Sequence, residues 1–212
     1  MKQLDLFGNT VPLKGLVKAH TGSVIVENGE YLFLPDFFNP LESDHYFKTL
    51  RETVLWKQES MSMYGKKIAF PRLVAWYGND DKPFSFSGVT LQTNPWTKEM
   101  LEIKDRIEPL AKVSFNSVLL NLYRSIRDSV SWHTDSEPEL GKNPIIASVS
   151  FGAARKFQLR HIQTKEKIEL HLTPGSLLIM QGALQHYWQH QVPKTSKTIG
   201  ERINLTFRVM FG

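Results

Sequence analysis

Residues 202–209 read Arg-Ile-Asn-Leu-Thr-Phe-Arg-Val, and polar and apolar side chains alternate through the whole stretch. Successive side chains of a β-strand point to opposite faces, so this alternation predicts a strand with an apolar face suited to a core. Its polar face carries Arg202, Asn204, Thr206 and Arg208. That face has two interpretations. It lies in water, or it grips a dicarboxylate, because arginine binds carboxylates bidentately while Asn and Thr add orienting hydrogen bonds.

Other short β-branched or aromatic runs precede this stretch, and Gly and Pro residues separate them. They span residues 118–123, 145–151, 157–161, 168–172 and 176–180, and the last strand is expected over 203–211. Many short strands without intervening helices predict an antiparallel sandwich or jelly roll. Before residue 112 the pattern is helical instead, with helix starts at Asn39-Pro40, where Glu42 completes a capping box, and at Asn94-Pro95. We therefore predict an α+β beginning that leads into a mostly β core.

Composition narrows the class of protein. The chain has 212 residues, a net charge of +5 and 41% hydrophobic residues, which is typical of one globular domain with a mild preference for polyanions. It has no cysteine, which excludes disulfides, thiolate metal sites and cysteine nucleophiles. No apolar run approaches the roughly 20 residues that span a bilayer, and the first residues lack a secretory apolar core. We expect a monomeric cytoplasmic protein without membrane contact.

The sequence Ser131-Trp132-His133-Thr134-Asp135 contains a candidate metal site. In an extended segment, residues two apart share a side, so His133 and Asp135 can hold one ion together. A third ligand must come from elsewhere, and His190 is the candidate. Two imidazoles and one carboxylate with open positions are typical of non-haem Fe(II) oxygenases. The alternative is a surface turn beside a hydrogen-bonded histidine. An iron site of this kind needs a dicarboxylic 2-oxo acid, and the polar face of residues 202–208 could bind one. Each prediction therefore strengthens the other.

Taken together, these motifs resemble the AlkB family of Fe(II)/2-oxoglutarate dioxygenases, most closely its eukaryotic-type DNA N-dealkylases. The resemblance covers about residues 30–212. It is carried by Asn121-x-Tyr123, His133-x-Asp135, His190 with Pro193, Phe70-Pro71-Arg72, the stretches 84–88 and 146–152, and Arg202 to Arg208.

The resemblance implies a double-stranded β-helix (jelly roll) with N-terminal helices packed on the outer sheet. One dioxygenase domain would span about residues 23–212, with a helical and nucleotide-recognition region at 23–112, a catalytic core at 113–212, and an N-terminal arm at 1–22. It also implies the cofactor Fe(II), held by His133, Asp135 and His190, and the co-substrates O2 and 2-oxoglutarate. The residues expected to line the 2-oxoglutarate pocket are Asn121, Tyr123, Arg202, Asn204, Thr206 and Arg208, without an assignment of either arginine to a particular carboxylate.

The same resemblance implies oxidative removal of N-alkyl groups from bases of the 1-methyladenine and 3-methylcytosine type in DNA, with RNA also open, and release of an aldehyde. A base inside a duplex must be unstacked to reach the metal. Residues 63–67 resemble a family hairpin whose tip aromatic wedges into the stack while its lysines contact phosphates. The residues expected at substrate or nucleic acid are Tyr64, Gly65, Lys66, Lys67, Arg72, Phe84, Phe86 and Glu137. A wider basic cluster near the mouth adds Arg155, Lys156, Arg160, Lys194 and Lys197.

Two alternatives to a DNA dealkylase stay open at this point. A dioxygenase of this kind could act on RNA, a protein or a small molecule, and a non-enzymatic jelly-roll binding module would merely have solvated polar strand faces.

A separate motif lies in the N-terminal arm. Gln3, Leu4, Asp5, Leu6 and Phe7 resemble the peptide by which bacterial DNA-processing proteins dock on the sliding clamp, with Leu6 and Phe7 as apolar anchors. The alternative is that these two side chains pack on their own domain.

Overall fold

The computed structural model describes residues 2–4, 10–12, 21–63, 66–79, 84–86 and 89–211. The strands are β1 (Lys2–Leu4), β2 (Thr10–Pro12), β3 (Gly22–Val26), β4 (Gly29–Leu34), β5 (Ser60–Met63), β6 (Lys66–Ala69), β7 (Leu73–Gly78), β8 (Phe84–Phe86), β9 (Val89–Leu91), β10 (Ser117–Tyr123), β11 (Val130–His133), β12 (Ile146–Gly152), β13 (Arg155–His161), β14 (Lys167–Leu172), β15 (Ser176–Gln181), β16 (Trp188–Val192) and β17 (Arg202–Arg208). The α-helices are α1 (Pro40–Thr53), α2 (Lys98–Ala111) and the single turn α3 (Leu184–Tyr187), and a 3₁₀ turn covers Pro138–Leu140.

Two antiparallel sheets form the body of the protein. The larger has nine strands in the order β2-β1-β3-β4-β15-β12-β17-β10-β7, and the smaller has four in the order β11-β16-β13-β14. The β5–β6 and β8–β9 hairpins stand apart from both sheets. This arrangement confirms the predicted jelly roll. Within the large sheet β17 is central, with β12 on one side and β10 on the other.

The outer layer is an apolar core between the large sheet and the helices. Helix α1 contacts β12 and β17, and α2 buries one stripe that includes Ile103 and Ile107. The large sheet contributes the alternate residues of its strands, such as Val149, Leu205 and Phe207. This layer confirms that the N-terminal helices pack on the outer sheet.

The inner layer lies between the two sheets. Its apolar part contains residues of both sheets, among them Tyr31, Leu178, Phe157 and Trp188. The polar residues of β17 belong to this layer too, since they alternate with the residues that face the helices. Every residue of β17 is buried, so the interpretation of its polar face as a water-exposed surface is wrong.

The first helix begins as predicted. Asn39 is the N-cap of α1: its side chain accepts a hydrogen bond from Glu42 N–H, and the Glu42 carboxylate accepts one from Asn39 N–H, which completes the capping box.

The predicted start of the second helix at Asn94-Pro95 is wrong. Helix α2 begins at Lys98 with Thr97 as its N-cap. Asn94 is held elsewhere, because its backbone N–H and its side-chain amide both donate to the carbonyl of Trp76, at the end of the large sheet.

The expectation that strands begin only after residue 112 is also wrong. β3, β4 and β7 belong to the large sheet. The tight turn between β3 and β4 uses Asn28, whose φ of 57° is a conformation that Asn tolerates well. Among the described residues, no helix is long and apolar enough to cross a membrane.

Candidate metal centre

The structure brings together the three predicted metal ligands. His133 ends β11 and pairs across the small sheet with His190 of β16, with ring centroids 4.2 Å apart. Asp135 follows two residues later, and its Oδ1 lies 3.6 Å from His133 Nε2 and 4.0 Å from His190 Nε2. One ligand atom from each residue lies within 4.8 Å of the other two. This spacing fits three ligands around one ion.

Hydrogen bonding orients the His133 imidazole, and burial keeps the His190 imidazole neutral, as metal binding requires. His133 Nδ1 lies 2.8 Å from the carbonyl of Ser131, which can only accept, so Nδ1 carries a proton and Nε2 is the nitrogen that would bind a metal. His190 is buried, and its ring stacks on Phe157 at 5.4 Å. Burial, with the nearby His133 adding to it, lowers the pKa of His190 to about 3, so the ring is neutral at physiological pH. A neutral ring is the form that binds a metal.

Asp135 is held as a carboxylate. Burial alone would raise its pKa, but the charge of Arg208, with smaller contributions from His190 and His133 as they protonate at low pH, outweighs burial and holds the pKa well below its usual range. Arg208 Nη2 donates to Asp135 Oδ2 at 2.8 Å, which leaves Oδ1 on the side of the histidines. The backbone N–H of Asp135 donates to Gln185 Oε1 at 3.0 Å.

A cavity opens beside the three ligands, between the two sheets. Its walls combine the predicted 2-oxoglutarate residues with apolar side chains of both sheets. It is lined by Arg72, Leu119, Asn121, Tyr123, Val130, His133, Asp135, Ser148, Phe157, Met180, His190, Val192, Arg202, Asn204, Thr206 and Arg208. All six predicted 2-oxoglutarate residues therefore line the same space as the three candidate metal ligands.

Arg202 is a buried cation with hydrogen-bond donors that could bind an anion. Its Nη2 donates to Ser150 Oγ at 2.9 Å and its guanidinium lies 5.1 Å from the centre of the Tyr123 ring. Its Nε and Nη1 are buried and have no hydrogen-bond acceptor among the described residues. Burial lowers the pKa of Arg202 to about 10. A carboxylate in the cavity would satisfy these donors and offset the desolvation of the charge.

The other polar residues of this cavity form two hydrogen-bonded groups. Asn204 donates to Ser148 Oγ at 2.8 Å and accepts from Thr206 Oγ1 at 3.1 Å. Asn121 Oδ1 accepts from Arg72 Nε at 2.6 Å. Sequence reasoning missed Ser148 and Ser150, although their alternation with apolar residues in β12 is a usable signal. It also missed Gln185, which no pattern in the sequence marks.

Arg72 lies deeper in the protein than a residue that contacts only DNA phosphates would need to lie. It lines the cavity just described and also a second, adjoining cavity on the outer side of the metal ligands. Burial lowers its pKa, which the neighbouring Tyr123 and Asp135 partly oppose. Arg72 therefore forms part of the wall between the two spaces.

The second cavity is the candidate substrate space. It is lined by Met61, Phe70, Pro71, Arg72, Leu119, Ser129, Val130, Ser131, Trp132, His133, Thr134, Asp135, Glu137 and Arg208. Glu137 Oε2 is buried without a hydrogen-bond partner in the described part of the chain. Burial, and then the charge of Asp135, raises the pKa of Glu137. A cationic group entering the cavity would be attracted to this carboxyl group.

Some predicted contacts lie partly or wholly outside the described residues. Tyr64 and Gly65 are outside them, while Lys66 and Lys67 are exposed on β6 of the adjoining hairpin. Phe84 and Phe86 lie on β8, and their side chains are outside the described part of the structure. Of the clamp-binding peptide, Gln3 and Leu4 belong to β1, whereas residues 5–7 are outside the described residues.

Part of the predicted basic cluster is engaged inside the protein. Arg155 is buried and donates to the carbonyls of Asp128 and Pro193. Lys156 forms an ion pair with Glu169 at 2.8 Å, and the guanidinium of Arg160 lies 4.2 Å from the centre of the Trp132 ring. The prediction that Arg155 belongs to the basic cluster at the mouth is therefore wrong, because its guanidinium is buried and bonded to backbone carbonyls.

Comparison with known proteins gives a consistent set of relatives. The sequence profile of the 2OG-Fe(II) oxygenase superfamily matches residues 30–208. The chain is 40% identical to bovine alpha-ketoglutarate-dependent dioxygenase alkB homolog 3 over 94% of this chain and 77% of the relative. It is 42% identical to the human protein of the same name, over 84% of this chain and 65% of the relative. The bovine DNA oxidative demethylase ALKBH2 is 35% identical, over 95% of this chain and 75% of the relative.

Solved structures agree at the level of the fold. The structure of OsALKBH1 superimposes with a TM-score of 0.64 at 19% identity, over 87% of this chain and all of that chain. An oxidoreductase of the 2OG-Fe(II) oxygenase family from Burkholderia pseudomallei superimposes with a TM-score of 0.53 at 13% identity, over 84% of each chain. Both support the jelly roll and nothing finer.

Proposed function

This chain belongs to the 2OG-Fe(II) oxygenase superfamily and, within it, to the AlkB family, and from that premise we propose that it is a DNA repair dioxygenase. The proposed reaction removes N-alkyl groups from bases of the 1-methyladenine and 3-methylcytosine type. It converts 2-oxoglutarate and O2 to succinate and CO2 and releases the alkyl carbon as an aldehyde. The names of the relatives, one a dioxygenase and one a DNA oxidative demethylase, support this substrate over a protein or a small molecule.

The observation that carries the proposal is the meeting of two sets of residues in one buried cavity. His133, Asp135 and His190 would hold Fe(II), and the polar face of β17 would hold 2-oxoglutarate beside it. Fe(II), with 2-oxoglutarate and O2, supplies the oxidising chemistry. The chain supplies the position of the reactants, their charge balance and the exclusion of water. A non-enzymatic binding module has no use for a buried cation such as Arg202, whose Nε and Nη1 have no acceptor among the described residues.

The structure supports an assignment of the two arginines. Arg208 is already paired with Asp135, so it lies at the metal end of the cavity. Arg202 lies six residues along the same strand, next to Tyr123 and Ser150, with donors to spare. We assign the distal carboxylate of 2-oxoglutarate to Arg202, and its metal-proximal carboxylate to the neighbourhood of Arg208.

The proposed substrate contacts follow from the second cavity. A base alkylated at a ring nitrogen such as N1 of adenine or N3 of cytosine carries positive charge, and Glu137 offers a buried carboxyl group in that cavity. Lys66 and Lys67 would contact phosphates, Tyr64 would wedge into the base stack, and Phe84 and Phe86 would flank the extruded base. Reversing the charge of Lys66 and Lys67 should weaken DNA binding for every sequence alike.

A panel of methylated oligonucleotides tests the function. Single- and double-stranded DNA and RNA carrying one 1-methyladenine or 3-methylcytosine are incubated with the protein, Fe(II), 2-oxoglutarate and ascorbate in air, and the products are weighed by mass spectrometry. We expect loss of the methyl group from DNA, with His133→Ala as the inactive control. Consumption of 2-oxoglutarate with every methyl group retained would refute the nucleic-acid substrate while leaving the dioxygenase intact.

Docking on a bacterial sliding clamp is a separate proposal that rests on the sequence of Gln3 to Phe7 alone. Purified clamp should retain the wild-type protein and not the Leu6→Ala/Phe7→Ala double variant. Equal retention of the two would end the proposal. The monomeric state, the cytoplasmic location and the domain boundaries stay predictions.

A further inference from the structure

Asp135 is the one member of the candidate metal triad that lies outside a strand. β11 ends at His133, and residues 134–137 have no regular secondary structure. His133 and His190, by contrast, pair directly across two neighbouring strands. The sheet therefore fixes the two imidazoles, whereas the carboxylate depends on other contacts for its position.

Two polar contacts hold Asp135. Arg208 donates to one carboxylate oxygen, and the backbone N–H of Asp135 donates to Gln185 Oε1 at 3.0 Å. Gln185 is itself buried, with 1% of its surface exposed, and its Nε2 lies 3.6 Å from Met180 Sδ. Arg208 restrains the tip of the side chain, and Gln185 restrains the backbone from which that side chain starts.

The position of Gln185 is fixed by the turn that carries it. Helix α3 packs on β4 and β15, and its Leu184 is completely buried. Gly29 allows the close approach, since a Cβ there would lie 2.9 Å from Leu184 Cα. The chain then runs from α3 directly into β16, which carries His190. A single rigid segment thus presents one ligand and holds the backbone of another.

An amide suits this place for two reasons. A buried N–H without an acceptor costs free energy, and an apolar residue at position 185 would leave the N–H of Asp135 without one. An amide also accepts a hydrogen bond without adding a charge beside a carboxylate and a divalent ion.

We propose that Gln185 is a positioning residue of the metal centre: its hydrogen bond to the Asp135 backbone couples the carboxylate ligand to the segment that carries His190. The proposal rests on Fe(II) binding at the triad and not on DNA as the substrate. Groups that orient metal ligands in this way commonly contribute 10- to 100-fold to metal affinity.

The test is a comparison of two identical substitutions. Gln185→Met keeps the length of the side chain and removes the acceptor. Gln191→Met is the matched control, because Gln191 is next to His190 on β16 but its amide donates to Gln158 Oε1 at 2.7 Å, away from Asp135. Fe(II) is titrated anaerobically into each protein with saturating 2-oxoglutarate, and binding is followed by the charge-transfer absorbance of the Fe(II)–2-oxoglutarate chelate.

We expect Gln185→Met to weaken Fe(II) binding roughly 10- to 100-fold relative to Gln191→Met. Gln185→Glu should restore binding to near the wild-type level, because a buried, protonated Glu has the same shape and still accepts from Asp135 N–H. Should Gln185→Met not fold, Gln185→Asn withdraws the acceptor by one methylene and gives the same comparison. Equal Fe(II) affinity for the variants at 185 and 191 would overturn the proposal, whatever the outcome with methylated oligonucleotides.

Discussion

The two faces of β17 are both buried, but burial stabilises the side chains of one face and, among the described residues, leaves hydrogen-bond donors unsatisfied on the other. On the outer face, Ile203, Leu205 and Phe207 are fully buried against the helices and need nothing further. On the inner face, Arg202 is almost as fully buried, but its Nε and Nη1 have no acceptor in the described part of the chain. Buried apolar groups stabilise a fold, whereas a buried cation without a counter-ion costs free energy. The comparison teaches that the outer face maintains the fold, and from it we infer that the inner face is the proposed 2-oxoglutarate site.

The largest expected effect comes from the inner face at its metal end. Asp135→Asn should reduce turnover below detection, because the neutral amide is a poor Fe(II) ligand. The same change leaves Arg208 buried without its carboxylate, so we expect the metal-free protein to lose about 3–5 kcal/mol of unfolding free energy. Succinate formation and urea denaturation measure the two effects. Asp105→Asn, on the exposed side of α2, is the control. Wild-type turnover in Asp135→Asn would remove the carboxylate from the proposed metal site.

The outer face should affect stability and not binding. Leu205→Ala removes a fully buried side chain from the helix-facing core and should cost about 2–5 kcal/mol of unfolding free energy. Below the denaturation transition the folded variant should bind Fe(II) and 2-oxoglutarate with nearly wild-type affinity. A rise in the KM for 2-oxoglutarate as large as that of an inner-face variant would mean that the two faces are not independent.

Arg202→Met should have the opposite effect from Leu205→Ala: it should weaken 2-oxoglutarate binding without lowering stability. It removes the proposed partner of the distal carboxylate, and truncating one member of a buried charge pair typically costs 2–5 kcal/mol of binding, so the KM for 2-oxoglutarate should rise roughly 100-fold. Stability without ligand should hold or increase, because a desolvated cation has been replaced by an apolar chain. Steady-state kinetics and thermal melts measure both quantities, with Arg106→Met on the outer side as control. An unchanged KM would refute the assignment of Arg202.

A feature of the fold could be predicted from the sequence where it depends on residues close together in the chain, and not where it depends on a contact between distant residues. The alternation in β17 separates the two faces because strand periodicity is local, and the spacing of His133 and Asp135 is local as well. The strands β3 and β4 were missed although Asn28-Gly29, where the turn between them meets the start of β4, is a strong hairpin signal. The start of α2 could not be predicted, because Asn94 and Thr97 are both good caps and a contact between Asn94 and Trp76 decides between them.

The candidate site divides in the same way. His190, Arg202 and Arg208 stood out because their residue types match a known chemistry. Gln185 did not, because a lone Gln in a short turn carries no pattern, and only the approach of Asp135 in three dimensions gives it a role. Arg72 was predicted as a substrate or nucleic-acid contact, but its bond to Asn121 could not be predicted, because it connects two distant parts of the chain.

The smallest expected effect concerns a buried polar group of the inner layer that lies outside the proposed binding site. Tyr31 lies in the apolar part of the inner layer, and its hydroxyl has no hydrogen-bond partner among the described residues. Burial raises the pKa of Tyr31 to about 12, whereas an unfolded tyrosine titrates near 10. Between these values the unfolded chain releases a proton that the native protein keeps, so stability falls as pH rises. From pH 8 to pH 11 this contribution amounts to about 1.4 kcal/mol, and it should be absent from Tyr31→Phe.

Denaturant melts of wild type and Tyr31→Phe at the two pH values isolate this contribution, because all other groups titrate in both proteins. At pH 8 the variant should be at least as stable as wild type, since it loses a buried hydroxyl without a partner. Saturating 2-oxoglutarate should leave the difference between the two proteins unchanged. A ligand-dependent difference would mean that Tyr31 belongs to the binding site and that the boundary between the apolar and polar parts of the inner layer lies elsewhere.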